Sequence, residues 1–292
     1  MHDDQWLAER FEEQRPRLRQ VAYRILGSIA EADDAVQDAW LRATRADAQA
    51  VENLGGWLTT IVTRVCLNTL RARTTRRDEP LDVQIPDPIV SAHADPEQVV
   101  LLEDAVGLAL LVVLDRLNPA ERVAFVLHDM FAIPFPDIAE MLETTPAAAR
   151  QLASRARRRV RGAATPDGSV ARQRQVVEAF FAAARQGDFE SLVAVLDPDA
   201  VLRVDGGSRP ALSRRAEGAS AIARQALQFA NPAAQLHPVV VNGGAGVVAL
   251  VGGRPLSLMA FTVSDGRIVE IDTIADPDRV ARLVAHALPA PA

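Results

Sequence analysis

PAAARQLASRARRRVRG, residues 146–162, carries six arginines and no acid in a chain whose formal charge at pH 7 is −6. Thr145 before it is a natural N-cap, and Pro146 suits the first helical position. At roughly 100° per residue, Ala149, Leu152, Ala153, Ala156 and Val160 fall on one arc. Arg150, Gln151, Ser154, Arg155, Arg157, Arg158 and Arg161 occupy the opposite side. The inner stripe is mostly alanine, so a neighbouring helix can pack close. Upstream, NPAERVAFVLHDMF (118–131) and FPDIAEML (135–142) read as helices and ETTP (143–146) as a turn. A second helix after a short turn, small inside and rich in Arg, Gln and Ser outside, predicts a helix-turn-helix whose last helix reads the DNA major groove. Glutamine can pair bidentately with adenine and arginine with guanine. The alternative for such a helix is a solvated basic face in an ordinary bundle; the preceding helix, turn and cap favour DNA.

Charge elsewhere is segregated in the same way. Residues 98–145 carry a net −6 and residues 146–163 a net +6. A second basic cluster, Arg64, Arg71, Arg73, Arg76 and Arg77, ends the first region of the chain. All 32 basic residues are arginine, so every basic contact can be planar and bidentate.

A length of 292 residues predicts two or three domains, and 49% hydrophobic with 24% charged residues predicts globular ones. No apolar run reaches the roughly 18–20 residues of a membrane span. MHDDQWLAERFEEQ at the start is acidic, the reverse of a signal peptide, so a cytoplasmic protein is expected. Cys66 is the single cysteine and the five histidines are scattered. No internal disulfide, metal site or cofactor is therefore expected.

Helical spacing runs from Gln5 to about Arg76. Leu18, Val21, Ala22, Ile25 and Leu26 form one buried stripe, Gly27-Ser28 a break, and Ala35, Val36, Ala39 and Trp40 a second stripe. After Gly55-Gly56, a third stripe runs through Trp57, Leu58, Ile61, Val62, Val65 and Leu70. Residues 78–96 hold four prolines and little periodicity, which predicts a flexible linker. The last segment reads as helices at Arg172–Ala184, Asp188–Leu196 and Ala219–Phe229. Strands follow at Val239–Val241, Gly246–Val251, Leu256–Val263 and Ile268–Ile274, with a hairpin turn at Ser264-Asp265-Gly266. The expected fold is multidomain: two all-α domains at 1–77 and 97–163, joined by the linker 78–96, then an α+β domain at 168–292 with a curved antiparallel sheet.

FPDIAEMLETTPAAARQLASRARRRV resembles the promoter-recognition domain, region 4, of extracytoplasmic-function sigma factors of bacterial RNA polymerase. Asp33-Asp34-x-x-Gln37-x-x-Trp40 resembles the acidic region 2 helix with which these factors dock on the polymerase β′ clamp. Trp57-Leu58-x-x-Ile61, followed by Asn68 and Arg71, is similar to their −10 element helix. The remaining residues resemble the sigma-J-like subgroup, in which a SnoaL-like cone is fused to the factor. That subgroup has motifs of the WLPEP, DGGGK and NPDKL types. Here they correspond to Gln84-Ile85-Pro86-Asp87-Pro88, Asp205-Gly206-Gly207-Ser208-Arg209 and Asp276-Pro277-Asp278-Arg279-Val280.

The resemblance implies an alternative sigma factor with a built-in regulator, core polymerase (β and β′ subunits) and promoter DNA as partners, and no dedicated anti-sigma factor. It implies polymerase binding through Asp33, Asp34, Gln37 and Asp38. DNA would be held by Arg64, Asn68 and Arg71 at the −10 element and by Arg150, Gln151, Ser154, Arg155, Arg157, Arg158 and Arg161 at the −35 element. Of the latter, Arg150, Gln151, Ser154 and Arg155 are the base-edge candidates. Pro86, Asp87, Pro88, Asp205, Gly206, Gly207, Arg209, Asp276, Pro277, Asp278 and Arg279 are expected to make regulatory contacts within the chain. A competing reading is a DNA-binding module fused to a small-molecule sensor or enzyme, with Asp205, His237 and Asp272 as its ionisable residues. No spaced catalytic constellation accompanies them, so no enzyme is expected.

Overall fold

The computed structural model describes residues 2–46, 51–76, 83–92, 107–160 and 167–288. Helix α1 (His2–Leu26) ends where Gly27 takes a φ of 74° and its N–H donates to the Tyr23 carbonyl at 2.7 Å. Ser28 then caps α2 (Ile29–Ala43), accepting from the Glu31 N–H. Ala32, Ala35, Val36 and Ala39 of α2 are buried, and Trp40 packs on Phe11 at a centroid distance of 4.9 Å. Asn53 accepts from the Gly56 N–H at the start of α3 (Leu54–Arg76), whose Leu58, Val62, Val65 and Leu70 are buried as their spacing predicts.

Helix α4 (Leu108–Asp115) precedes the helix-turn-helix. Asn118 caps α5 (Pro119–Phe125), which runs on into a π-helical turn over Val126–Met130. Then come α6 (Phe135–Met141) and α7 (Pro146–Val160). Thr145 caps α7 as expected, its Oγ1 accepting from the Ala148 N–H at 3.2 Å. Ala149, Ala153 and Ala156 are fully buried, which lets α5 and α6 pack directly against the α7 backbone.

The chain forms two compact units. The first comprises Met1–Glu79 and Val113–Gly162, the second Pro80–Val112 and Ala163–Ala292. Within the first, α3 packs against α5 and α6, and the Arg24 guanidinium lies 4.9 Å from the Phe131 ring centre.

The second unit holds helices α8 (Val170–Gln186), α9 (Phe189–Val195), α10 (Ala219–Phe229) and α11 (Pro277–Val284). Its strands are β1 (Val90–Ser91), β2 (Leu196–Asp205), β3 (Arg214–Glu217), β4 (Gln235–Val241), β5 (Gly244–Val251), β6 (Arg254–Ser264) and β7 (Arg267–Ile274). They form one sheet in the order β1-β4-β5-β6-β7-β2-β3. The pairs β4–β5, β5–β6 and β6–β7 are antiparallel hairpins closed by Asn242-Gly243, Gly252-Gly253 and Asp265-Gly266. All six turn residues have positive φ, the geometry a two-residue hairpin of type I′ requires.

Two features depart from the expectation of an antiparallel sheet reached by a flexible linker. Strands β2 and β3 were not legible as strands, and β2 pairs with β7 in parallel, so the sheet is mixed. Residues 83–92 of the expected linker also belong to this unit. Val90 and Ser91 pair with Val241 and Val240, extending the sheet by a short edge strand. The linker's outer residues lie outside the described part of the chain.

Leu202, Val204, Phe261, Val263 and Ile271 face α8 and α10 in a core that includes Val177, Phe180 and Ile222. Phe180, Phe181 and Phe261 meet edge to face at 5.4–6.0 Å. Strand alternation turns Arg203, Asp205 and Asp272 to the opposite face.

Candidate functional site

The acidic patch and the two basic helix faces lie in the first unit. Asp33, Asp34, Gln37 and Asp38 share the exposed face of α2. Two of them are partly engaged. Asp33 takes a bidentate pair from Arg19 at 2.5 and 3.0 Å, and Asp38 is 4.0 Å from Arg42. On α3, Arg64, Asn68 and Arg71 are exposed, at spacings that put them on one face. Arg64 donates from Nη2 to the Glu140 carbonyl at 3.3 Å, near the end of α6.

On α7 the outer face divides in two. Arg150, Gln151, Ser154 and Arg158 are exposed, with Arg150 resting 5.6 Å from the Phe135 ring centre. Arg155 and Arg157 are tied down. Glu121 of α5, only 6% exposed, accepts from Arg155 on one carboxylate oxygen at 3.0 Å and from Arg159 on the other at 3.1 Å. Asp129 accepts from Arg157 at 2.6 Å. Sequence reasoning missed Glu121, because an acid in the first turn of a helix after an Asn-Pro start reads as an ordinary dipole-favoured residue. Arg161 lies outside the described residues.

In the second unit the three short motifs come together, and the parallel β2–β7 pair brings two of them side by side. Because the strands run the same way, they end at the same edge, with Asp205 opposite Ile274. The Ala275 N–H donates to the Asp205 carbonyl at 2.7 Å, which sets Asp205–Arg209 beside Asp276–Val280. Asp276 caps α11, accepting from the Asp278 and Arg279 N–H groups on Oδ1. Its Oδ2 accepts from the N–H and hydroxyl of Ser208. These donors, the Ser208 N–H foremost, hold the Asp276 carboxyl down at about 2. Gly207 has a φ of +53° and lies against Asp276, so a side chain there would meet both backbone strain and that carboxylate.

Arg279 is the hub. Its Nε donates to Asp87 at 2.6 Å, its Nη1 to Asp205 at 2.7 Å and its Nη2 to the Ile85 carbonyl. Asp205 in turn accepts the Ile85 N–H at 3.0 Å. Burial alone would lower the Arg279 pKa, but Asp87 and Asp205 outweigh it and raise it. Further along, Asn242 accepts the Ile89 N–H at 2.7 Å and returns its own N–H to the Ile89 carbonyl. Pro86 and Pro88 are buried in this contact, whereas Gln84 is exposed. Asp87, Asp205, Gly206, Gly207, Asp276, Pro277 and Arg279 therefore gather at one place. Arg209 and Asp278 are exposed.

Asp272, read as a possible base, is bound 3.0 Å from Arg203, which also reaches Glu270 at 3.1 Å. Burial opposes the Arg203 charge, but the two carboxylates prevail and its pKa is raised. A cavity of about 240 Å³ lies between α8 and strands β4 and β5; Asp205, His237 and Asp272 do not line it. Among the described residues, no group of three or more His, Cys, Asp or Glu is arranged to hold a metal ion. No helix among them is long and apolar enough to cross a membrane.

Three families match the chain in succession: Sigma-70 region 2 over residues 10–76, Sigma-70 region 4 over 107–160, and the SnoaL-like domain over 177–282. The extracytoplasmic-function (ECF) RNA polymerase sigma factor SigJ of Mycobacterium tuberculosis is 37% identical, covering 92% of this chain and 91% of its own. The probable ECF sigma factor SigI of the same species is 35% identical over 93% of this chain and 94% of its own. The crystal structure of M. tuberculosis SigJ matches with a TM-score of 0.73, covering 96% of this chain and 99% of that one. With two sigma domains in order, a SnoaL-like domain behind them and this identity across nearly its whole length, the chain belongs to the ECF RNA polymerase sigma factors and serves as an alternative sigma factor that directs transcription initiation.

Proposed function

We propose that the SnoaL-like domain regulates this sigma factor from within, by holding the segment that joins the two sigma domains. The Arg279 fork, spanning Asp87, the Ile85 carbonyl and Asp205, carries this reading. A tethered partner acts at an effective concentration of roughly millimolar, so contacts of this size can capture the linker without high intrinsic affinity. In this scheme the domain takes the place of a dedicated anti-sigma factor and has no catalytic role. Its ionisable residues support structure, Asp205 and Asp272 through arginine pairs.

The partners are core RNA polymerase, engaged in the cytoplasm through Asp33, Asp34, Gln37 and Asp38, and promoter DNA. Arg64, Asn68 and Arg71 serve the −10 element. Arg150, Gln151, Ser154 and Arg158 are the −35 contacts ready to act, with phosphates giving salt-dependent affinity and base edges giving choice. Arg155 and Arg157 join them only by leaving Glu121 and Asp129. Arg64 likewise must release the Glu140 carbonyl to meet DNA.

The test is in vitro transcription with core polymerase and a cognate promoter, comparing the full chain with versions ending near residue 165 and near residue 274. Regulation from within predicts that at least one truncation changes activity several-fold. Equal activity for all three would overturn it.

A further inference from the structure

The cavity between α8 and the β4–β5 edge has no part in the linker contact. Its walls are apolar: Val177, Phe181, Leu236, Pro238 and Val247 line it. Into these walls the sequence places Arg174. The Arg174 Nε is buried and has no hydrogen-bond partner, although other half-buried arginines of the chain, such as Arg279 and Arg73, are paired with carboxylates. The preceding residue, Gln173, is 2% exposed and pins the start of α8 to the sheet, donating to the Asp167 carbonyl and accepting from the Ala245 N–H at 2.9 Å. A buried guanidinium donor left open in an apolar pocket is the arrangement that an incoming acid would complete.

From this we infer that the cavity is a binding site for a small amphipathic monoanion: a carboxylate on a short aliphatic or single-ring body, its acid group on Arg174. The volume of about 240 Å³ falls below the roughly 300–1,000 Å³ of sites for drug-sized ligands, which limits the body. Arg185 and Glu178 are exposed on the same helix face at the rim. The two arginines outweigh the one glutamate, so an anion is favoured. Glu178 repels a second negative charge, so a carboxylate is preferred to a phosphate. Binding here is independent of the regulatory reading, since the pocket shares no residue with the Arg279 cluster.

Calorimetric titration of the full-length protein with octanoate, 1-octanol and octyl phosphate tests the site. Octanoate should bind saturably at one site, with octanol at least about tenfold weaker, as the loss of one charge-assisted bond implies, and octyl phosphate weaker because Glu178 repels its second charge. Arg174→Gln should weaken octanoate about tenfold and leave octanol unchanged. Ala182→Trp, at an exposed position on the cavity wall, should weaken both by filling the space. It supplies a second variant that leaves Arg174 in place, and circular dichroism checks that each is folded. Equal affinity of octanoate and octanol, non-saturating uptake of octanoate, or octanoate binding unaltered in Arg174→Gln would each overturn the inference.

Discussion

The Arg279 guanidinium reaches Asp87 at 2.6 Å across 192 positions of sequence, joining the first turn of α11 to the strip of chain ahead of β1. The same side chain binds Asp205, so one residue closes all three motifs. Its replacement by alanine leaves Asp205 buried without its cation and frees the Ile85 carbonyl. A hydrogen bond to a charged group is worth about 1.5–3 kcal/mol, and Arg279→Ala should lower stability by at least that. Amide exchange should localise the loss: Ile85 and Ile89 should exchange faster, while the β5–β6 ladder keeps its protection. Asp87→Asn should do less, because Asp87 is the more exposed partner.

On the recognition helix, the arginines should separate into two behaviours. Arg158 is exposed, and Arg158→Ala should weaken promoter binding by the polymerase holoenzyme at all sequences and reduce the salt slope by about one. Arg155→Ala removes one of the two clamps on the buried Glu121. It should cost stability even without DNA, by about 1–3 kcal/mol, seen as a lowered midpoint of denaturant unfolding. Glu121→Gln should act in the same direction and loosen both Arg155 and Arg159.

The recognition helix was legible because each local signal agreed: cap, proline, alanine stripe and turn. The hairpin Asp265-Gly266 was legible for the same reason, its dipeptide being among those that most readily take the positive φ of a type I′ turn. What stayed hidden depends on long-range pairing. Strand β2 begins Leu196-Asp197-Pro198-Asp199, which reads as a loop, and its Arg203 and Asp205 look like surface residues until Asp272, Glu270 and Arg279 meet them. The prolines of 83–92 suggested a free linker, but proline is also at home in an extended segment docked by side chains. The parallel β2–β7 register, a contact about 70 residues apart, makes the second and third motifs neighbours, and the Arg279, Asp205 and β1–β4 contacts bring the first to them.

Cys66 is fully buried in α3, and burial pushes its thiol up to about 12. At pH 8 it therefore carries almost no thiolate, the reactive form. The folded chain should resist a thiol reagent such as dithionitrobenzoate, with labelling at the rate of unfolding. Stoichiometric labelling of the native protein within seconds would contradict this packing. Addition of denaturant above the unfolding midpoint should restore one equivalent per chain.

The Asp276 carboxyl gives a pH dependence of defined sign. Its folded pKa is about 2, depressed below the ordinary aspartate value by the Ser208 and Arg279 N–H groups. A depressed folded value means that the unfolded chain takes up the proton first as pH falls. The contribution of Asp276 is therefore present above about pH 4 and fades between about pH 4 and pH 2. Asn at this position can still cap α11 but cannot titrate. Asp276→Asn should accordingly be the less stable protein at pH 7, and the gap to the wild type should narrow as the pH drops through that window. Denaturant unfolding of both proteins at a series of pH values measures the difference. A gap that stays constant from pH 7 to pH 2 would mean that the Ser208–Asp276 tie holds no charge-dependent energy.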